Sequence, residues 1–302
     1  MLPFARVTII GLGLIGGSIA RAVRAHMPTV RLTGFDADPA VRDAALRLHL
    51  CDDVTDSAGA AVTDADLVIL CVPVGAIGAT AEAIRADLPG DAVVSDVGSC
   101  KADVARAMTE ALPNAIIVPA HPVAGTERSG PEAGFATLFQ NRWCIVTPIE
   151  GMPELAATRV AAFWRQLGAN VETMAPDHHD RVLAITSHLP HLIAYTIVGT
   201  ASDLEEVTRS EIIKFSAGGF RDFTRIAASD PTMWRDVFLS NREAVLEMLQ
   251  RFSEDLTALQ RAIRWGKGDE LFDLFTRTRA VRRSIIEQGQ DDPAPDFGRT
   301  HD

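Results

Sequence analysis

The sequence lacks several features that would assign it to a particular class of protein. Its cysteines (Cys51, Cys71, Cys100 and Cys144) are scattered and form no Cys-x-x-Cys pair, which argues against a disulfide framework and a zinc site. No uninterrupted apolar run reaches the roughly 20 residues of a membrane-spanning helix. The first strand pattern follows the initial Met-Leu-Pro-Phe at once, so we expect no signal peptide. These absences predict a reduced, cytoplasmic protein.

Positive charge is in deficit. Twenty-nine Lys and Arg residues stand against 40 Asp and Glu, and the formal net charge is −11. This balance argues against nucleic acid and anionic membranes as partners. An acidic substrate would therefore have to be bound by a few local basic residues. We find no internal repeat or low-complexity tract, and 302 residues suit one large domain or two ordinary ones.

The first half of the chain alternates short β-branched segments with alanine-rich helical patterns. This alternation predicts an α/β fold with a doubly wound, Rossmann-type parallel sheet. The predicted buried strands are Val7–Ile10, Arg31–Phe35, Leu67–Cys71, Ala92–Asp96 and Ile116–Pro119. Two further strands are predicted at Trp143–Thr147 and Asn170–Met174, around a helix near Pro153–Leu167.

Beyond Asp177 the strand pattern gives way to an all-α region. Long helices are predicted at Asp177–Gly199, Asn241–Trp265 and Asp269–Gln288. Apolar residues recur at spacings of three and four along the middle helix: Val245, Leu246, Leu249, Phe252, Leu256 and Leu259. Such stripes indicate helices that pack on one another and on a second subunit.

A glycine-rich turn follows the first predicted strand directly and opens a helical pattern. Gly11 permits a tight turn, Gly13 lets the backbone approach a pyrophosphate, and Gly16 lets the helix pack closely on the strand. Leu14 and Ile15 lie in the first helical turn, where free N–H groups favour a phosphate. The pattern predicts a dinucleotide-binding site.

Asp36 ends the second predicted strand, about 20 residues after the last glycine, where an acid would bind the adenosine ribose. The alternative is that Asp36 caps the next helix, but Asp38 before Pro39 is the better cap. The next residue is Ala37 and no adjacent Arg could hold a 2′-phosphate, so NAD is favoured over NADP. Val72 and Pro73, directly after a predicted strand, complete the predicted cofactor-binding set.

These patterns divide the chain into three parts. Residues 1–175 form the predicted nucleotide-binding domain, residues 176–290 a helical domain for substrate binding and dimerisation, and residues 291–302 a disordered tail. The cleft between an α/β domain and a helical domain is the usual place for a substrate.

The segment from Asp96 to Lys101 lies at the carboxyl end of a predicted central strand, where open α/β sheets bind ligands. Ser99 could donate a hydrogen bond to cofactor or substrate. It could equally be the N-cap of the helix predicted at Cys100–Leu112. Lys101, in the first turn of that helix, is expected to be solvated.

His121 directly follows the strand predicted at Ile116–Pro119, and a loop of small and polar residues comes after it. An imidazole at this place is a candidate general base, because its ordinary pKa near 6.5 suits proton transfer at neutral pH. The alternative is a structural histidine that bonds a loop carbonyl. Thr126 and Glu127 are among the polar residues of this loop, and their presence favours the catalytic role of His121.

The first long helix carries a second polar cluster. His188 and His191 are three residues apart and share a face, with Asp180 two turns upstream. Pro190 should kink the helix. Two histidines and an acid could also bind a metal, but the spacing alone is weak evidence and we predict none. Buried structural histidines are the other alternative.

Two arginines lie on the helical pattern that precedes Trp234. Arg221 and Arg225 are four residues apart and share a face, and a guanidinium binds a carboxylate with two parallel hydrogen bonds. In an acidic protein this pair indicates an anionic ligand. The alternative is a surface ion pair with Asp222 or Glu211.

Taken together, these segments resemble the prephenate/arogenate dehydrogenase family, also called cyclohexadienyl dehydrogenases. The resemblance runs from about Val7 to Arg251. It is carried by five motifs in the family's order and spacing: GLGLIGGS, DVGSCK, HPVAGTERSGPEAGFATLFQNRW, DRVLAITSHLPH and GGFRDFTRIAASDPTMWRD. The family oxidatively decarboxylates prephenate to 4-hydroxyphenylpyruvate, or arogenate to tyrosine, with NAD⁺.

The resemblance implies a catalytic pair. His121 would take the proton of the substrate's ring hydroxyl as hydride leaves for NAD⁺, and Ser99 would support His121 and the nicotinamide region. It also implies a homodimer formed through the helical domain. Some members carry a C-terminal regulatory domain; because this chain ends soon after its last predicted helix, we expect no such domain and no tyrosine feedback through it.

The resemblance further implies the residues that surround the substrate. Arg225 would bind a carboxylate, and His191 would contact the substrate side chain. The other residues expected to line or support this pocket are Thr126, Glu127, Asp180, His188 and Trp234.

Two other functions remain open from the sequence. A dehydrogenase of the β-hydroxyacid or 6-phosphogluconate type shares this architecture but typically relies on a helical Lys, and Lys214 lacks a matching motif. A non-catalytic NAD-binding sensor would need neither His121 nor the arginines. The sequence does not decide between prephenate and arogenate.

Overall fold

The computed structural model describes residues 2–126, 128–203, 211 and 218–287. Glu127, Lys214 and the tail predicted to be disordered lie outside the described residues. The chain divides into two compact units, Met1–Leu246 and Glu247–Asp302. All the described residues of the predicted site belong to the first unit.

A six-stranded parallel sheet forms the centre of the first unit, with the strand order β3-β2-β1-β4-β5-β6. This confirms the predicted doubly wound fold. Its strands are β1 (Arg6–Ile10), β2 (Arg31–Phe35), β3 (Asp53–Val54), β4 (Leu67–Leu70), β5 (Val93–Asp96) and β6 (Ile116–Ile117).

Helices cover both faces of this sheet, which explains why its strands are apolar throughout rather than alternating. Ile9 and Ile69 belong to one apolar layer, whereas Ile10 and Val68 belong to the layer on the opposite face. The helices of the nucleotide-binding half are α1 (Leu14–His26), α2 (Pro39–Arg47), α3 (Ala58–Val62), α4 (Ile77–Ile84), α5 (Ala102–Ala111) and α6 (Glu154–Gln166). Asp38 caps α2 as predicted, because its carboxylate accepts the Ala40 N–H.

A second sheet of three strands contains β7 (Ala120–Pro122), β8 (Trp143–Val146) and β9 (Asn170–Thr173). The strand predicted at Ile116–Pro119 is therefore two strands: it ends in the large sheet at Ile117 and restarts in the small one. His121 was predicted to follow a strand. It lies instead within β7, opposite Ile145. The pairing with β8 fixes the backbone of His121.

A continuous helical stretch follows β9. It consists of α7 (Pro176–Leu183), a π-helical turn (Ala184–His188) and α8 (Leu189–Ser202). The π turn immediately precedes Pro190, which has no N–H and whose ring crowds the preceding turn. The predicted distortion at Pro190 thus takes the form of a widened turn.

By length and composition alone, the stretch Pro176–Ser202 could cross a membrane, although the sequence has no uninterrupted apolar run of that length. Core helices pass the same test. The first half of this stretch carries the buried polar side chains of His179, Asp180 and His188. Asp180 accepts a hydrogen bond from Lys101, and His188 accepts one from Asn241. In all, 28% of the apolar window is buried within the protein.

The other helices with both ends among the described residues are α9 (Gly218–Thr224), α10 (Pro231–Ser240), α11 (Arg242–Arg264) and α12 (Gly268–Glu287), with a 3₁₀ turn at Arg225–Ala228. In the second unit, several large apolar side chains of α11, α12 and the connection between them are exposed. They are Leu256, Ile263, Trp265, Phe272, Phe275 and Val281. Exposed apolar surface of this extent marks an interaction face.

Candidate active site

The glycine turn joins β1 to α1 at the carboxyl edge of the large sheet. Gly11 has φ +97°, and a Cβ there would lie 2.5 Å from the Cys71 carbonyl oxygen. A Cβ on Gly16 would lie 2.0 Å from the Gly11 carbonyl oxygen, so α1 packs too closely on the turn for any side chain. A Cβ on Gly13 would meet nothing within 4 Å. The turn is closed on the protein side and open where a pyrophosphate would lie.

Asp36 lies at the end of β2, beside this turn. Its carboxylate accepts the N–H of Leu12 at 2.8 Å and that of Asp38 at 3.0 Å. The carboxylate is therefore held next to the glycine turn. Arg42 donates to the Asp36 carbonyl oxygen at 2.7 Å, so an arginine of α2 reaches this region although none is adjacent in sequence.

The other predicted cofactor residues lie around the same edge. Leu14 and Ile15 are half-buried in the first turn of α1. Val72 follows β4, and its Cγ1 would lie 3.2 Å from a Cβ on Gly11, while Pro73 is exposed beside it. These groups and the free N–H groups of the helix terminus fit a bound dinucleotide.

His121 is one end of a buried hydrogen-bonded chain that runs through His179 to Asp180. Its Nδ1 is 2.8 Å from Nε2 of His179, and His179 Nδ1 is 2.8 Å from Oδ1 of Asp180. His121 is 7% exposed and the His179 side chain is fully buried. Within the described residues no group bonds His121 Nε2, so that nitrogen is open to a ligand.

Burial lowers the pKa of His121 well below 6.5, and electrostatic interactions with His179, Lys101 and His188 lower it further. The imidazole is therefore neutral at pH 7 and can accept a proton. This is the protonation state that a general base requires.

An ion pair between Lys101 and Asp96 lies behind His121, and both side chains are fully buried. The expectation that Lys101 is solvated is therefore wrong. Lys101 Nζ also donates to the Ala120 carbonyl oxygen at 2.8 Å, and the Asp96 carboxylate accepts the Ala120 N–H at 3.3 Å. The ion pair thus bonds both the backbone carbonyl and the backbone N–H of Ala120, the residue before His121.

Asp180 joins the helical region to α5. Its two carboxylate oxygens accept the N–H groups of Lys101 at 2.7 Å and Ala102 at 2.9 Å. The interpretation of Ser99 as the cap of this helix is wrong, because a carboxylate 79 positions away from Lys101 supplies the acceptors. Ser99 lies half-buried in the loop between β5 and α5, which leaves its predicted contact with ligand open.

His188 is fully buried beside Asn241. The Asn241 side-chain amide donates to His188 Nδ1 at 3.0 Å and to the Asp180 carbonyl oxygen at 2.8 Å. Burial lowers the pKa of His188 to about 4. His188 Nε2 has no hydrogen-bond partner among the described residues.

His191 lies on the next turn and stacks on Trp234, with ring centroids 3.6 Å apart. Its Nδ1 donates to the Ser187 carbonyl oxygen at 2.9 Å. Burial lowers the pKa of His191, and the charge of nearby Arg225 contributes to the shift. Trp234 Nε1 is buried without a partner among the described residues. The structure therefore brings His191, Trp234 and Arg225 together.

The remaining predicted site residues are exposed to solvent. Thr126 is exposed, and its Oγ1 accepts the Arg128 N–H at 3.2 Å. Arg221 on α9 is exposed, and so is Arg225, which begins the 3₁₀ turn after that helix. In the part of the chain that the structure describes, no group of three His, Cys, Asp or Glu residues is arranged to bind a metal.

Sequence reasoning missed three members of the network. His179 stands next to Asp180 in the sequence, and that adjacency is the one signal that could have identified it. Asp96 ends a strand, but nothing local shows that it pairs with Lys101. Asn241 looked like the start of a helix, and its two long-range contacts leave no trace in the sequence.

Family models agree with this geometry. The model described as "prephenate dehydrogenase, nucleotide-binding domain" matches residues 19–173, and the one described as "prephenate dehydrogenase, dimerization domain" matches residues 175–277. A cyclohexadienyl dehydrogenase of Zymomonas mobilis is 46% identical over 285 residues, which cover 94% of this chain and 97% of that protein.

Solved structures of related enzymes share the fold. Prephenate dehydrogenase of A. aeolicus, crystallised with hydroxyphenyl propionate and NAD⁺, has a TM-score of 0.87 and 34% identity, and the match covers 94% of this chain and 98% of that one. Arogenate dehydrogenase of Synechocystis has a TM-score of 0.80 and 25% identity, with 93% and 99% covered. The resemblance seen in the motifs is confirmed, and the chain belongs to the prephenate dehydrogenase family of oxidoreductases.

Proposed function

We propose that this protein catalyses the NAD-dependent oxidative decarboxylation of prephenate, arogenate or both, as the relatives named for these substrates do. The observation that carries the proposal is His121. Its neutral, buried ring has one nitrogen bonded to the protein and the other open, and it lies in the strand that follows the carboxyl edge of the nucleotide-binding sheet.

We propose that NAD⁺ binds along that edge. The glycine turn and the N-terminus of α1 would hold the pyrophosphate, and Asp36 would bind the adenosine ribose. Val72, Pro73 and Ser99 would contact the cofactor between that turn and His121. When bound, NAD⁺ supplies the acceptor for the hydride that leaves the substrate ring.

The residues of this chain then have to orient the substrate and move one proton. Loss of hydride and CO₂ makes the ring aromatic, so the intrinsic driving force is large and catalysis rests on positioning. His121 Nε2 accepts the hydroxyl proton while the ring carbon is oxidised. The product is a phenol, so His121 returns the proton to that oxygen once CO₂ has left, and no net proton is taken up.

We place the acidic part of the substrate at Arg225, with His191 and Trp234 beside it. Replacing Arg225 with Ala should raise KM about 10- to 100-fold with little change in kcat, since hydrogen bonds to a charged group contribute roughly 1.5–3 kcal/mol. Steady-state kinetics measures the split. Arg106→Ala, which removes an exposed guanidinium of α5, is the control. An unchanged KM would return Arg225 to the role of a surface ion pair.

The proposed function is tested by turnover. Purified protein should reduce NAD⁺ in the presence of prephenate or arogenate, with release of CO₂, and should use NADP⁺ less well. Four assays, with both substrates and both dinucleotides, measure these preferences. Turnover of neither cyclohexadienyl substrate, or of a β-hydroxyacid instead, would refute the proposal.

We further propose a cytoplasmic homodimer. The exposed apolar side chains of α11 and α12 and the match to a family dimerisation domain support it. Sedimentation equilibrium should give about twice the chain mass of 32.5 kDa. A monomer at micromolar concentration would contradict this assembly.

A further inference from the structure

We propose that His179, held by Asp180, is a positioning residue that fixes the tautomer of His121 and leaves Nε2 as the proton acceptor. This inference rests on the proposed function, because it concerns how the proposed base is prepared. It assigns a role to a histidine that neither the sequence motifs nor the glycine turn pointed to.

The direction of the hydrogen bonds begins at Asp180. Burial alone would raise the pKa of this carboxyl, but hydrogen bonds from His179, Ala102 N and Lys101 N lower it below its ordinary value overall. Asp180 is therefore a carboxylate that can only accept. It follows that His179 Nδ1, at 2.8 Å from Oδ1, carries a proton and donates it to this bond.

The second step follows from the first. Burial is the largest effect on the pKa of His179 and lowers it, so this ring is neutral at pH 7 and carries one proton only. With that proton on Nδ1, His179 Nε2 is an acceptor. The 2.8 Å contact with His121 then requires His121 Nδ1 to be the donor. The lone pair of neutral His121 is left on Nε2, the nitrogen that no described group bonds.

The charged groups near His121 are consistent with this arrangement of hydrogen bonds from His121 through His179 to Asp180. Lys101, the N-cap residue of α5, is paired with Asp96 of β5, so that carboxylate is already compensated. His188, in the π turn, also affects the pKa of His121 electrostatically, and it is neutral at pH 7 because burial lowers its own pKa to about 4. Asp180, acting through His179, is thus the anion that stabilises the imidazolium formed at His121 during turnover. The logic is that of a serine protease triad with a second imidazole inserted.

The sequence of α7 explains how one turn presents this pair. Pro176 starts the helix, so His179 and Asp180 fall in its first turn and a half, next to the N-terminus of α5. His178 precedes them and is exposed. Adjacent residues of a helix project about 100° apart, which separates the solvated histidine from the buried one. His178 is therefore a matched control for His179.

Replacing His179 with Phe should lower kcat roughly 10- to 1,000-fold and leave KM within about threefold. Phe fills the space of the ring but neither accepts from His121 nor donates to Asp180. His179→Gln should recover most of the activity, since its amide can donate to Asp180 and accept from His121. His178→Phe should match the wild type.

If His179 had a purely structural role, its replacement would also lower kcat in a protein that lacks His121. In a His121→Asn protein, the further change His179→Phe should cause no additional loss of kcat, because His179 acts through His121. An equal loss in both backgrounds would overturn the proposal. Thermal unfolding and NAD⁺ titration of each variant, monitored by tryptophan fluorescence, establish that the folds are comparable.

A spectroscopic measurement makes the test independent of activity and of the variants' stability. In ¹⁵N-histidine spectra of the wild-type protein at pH 7, assigned with His121→Asn, His121 should show a protonated Nδ1 and an unprotonated Nε2. The opposite tautomer would refute the inference even if the enzyme turns over prephenate. The expected tautomer in a protein that lacks such turnover would instead retain the inference about His179 and refute the proposed function.

Discussion

Replacing His121 with Asn should lower kcat by about 10²- to 10⁴-fold, the usual contribution of a general base. Asn keeps a donor near Nδ1 but offers no lone pair with the basicity of Nε2. KM should change little, because the ring's interaction with the hydroxyl strengthens only as the proton moves. Turnover like that of the wild type would remove His121 from the mechanism.

The pH dependence gives this prediction a second measurement. Burial, followed by electrostatic interactions with His179 and Lys101, lowers the pKa of His121, so the neutral base persists as the pH falls. The kcat of the wild type should therefore stay level through pH 6.5 and decline only in more acidic solution. The His121→Asn variant should lack this acidic decline. His26→Asn, an exposed change at the end of α1, is the control and should keep the wild-type profile.

Local patterns predicted much of the fold and the cofactor edge because their causes are local. The Gly11 turn needs a positive φ, the Gly16 contact needs a missing Cβ, and the Asp38–Pro39 cap needs neighbouring residues only. Strands buried on both faces are apolar throughout, which is visible without knowing their partners. The position of His121 was predicted to within the length of one strand for the same reason.

Contacts between distant parts of the chain could not be predicted in this way. A lysine in the first turn of an amphipathic helix is ordinarily solvated, and only the approach of Ala120 and Asp96 makes Lys101 a buried ion-pair partner. The acceptors at the N-terminus of α5 likewise come from Asp180 in another region, so the alternative in which Ser99 caps this helix was wrong. The roles of Ser99, Arg225 and Thr126 towards ligand stay predictions.

Loss of the Lys101–Asp96 ion pair should have the second large effect, on the stability of the fold. Replacing Lys101 with Met should lower the free energy of unfolding by about 3–5 kcal/mol, the cost of leaving a buried partner charge uncompensated. Met preserves the length of the side chain and its helix propensity, so the loss should come from the charge and from the bond to the Ala120 carbonyl. Urea unfolding at a fixed protein concentration measures it, since a dimer's stability depends on concentration.

Two comparisons separate charge from packing in this variant. Burial already raises the pKa of Asp96, and without Lys101 to oppose it the carboxyl should be protonated more readily in the folded state. An acid whose pKa is higher in the folded than in the unfolded state binds more protons when folded, so stability rises as the pH falls. The Lys101→Met defect should therefore shrink between pH 8 and pH 5.

Adding Asp96→Asn to Lys101→Met removes the uncompensated charge by another route and should restore part of the stability at pH 8. Lys267→Met provides the contrast, because Lys267 forms its 2.6 Å ion pair with Glu270 at the surface and its loss should cost less than about 1 kcal/mol. Because the same ion pair holds both polar groups of Ala120, the Lys101→Met enzyme should also lose kcat, and Asp96→Asn should not restore that loss. A Lys101→Met protein as stable as the Lys267→Met control at pH 8 would show that the buried pair does not hold β7 in place.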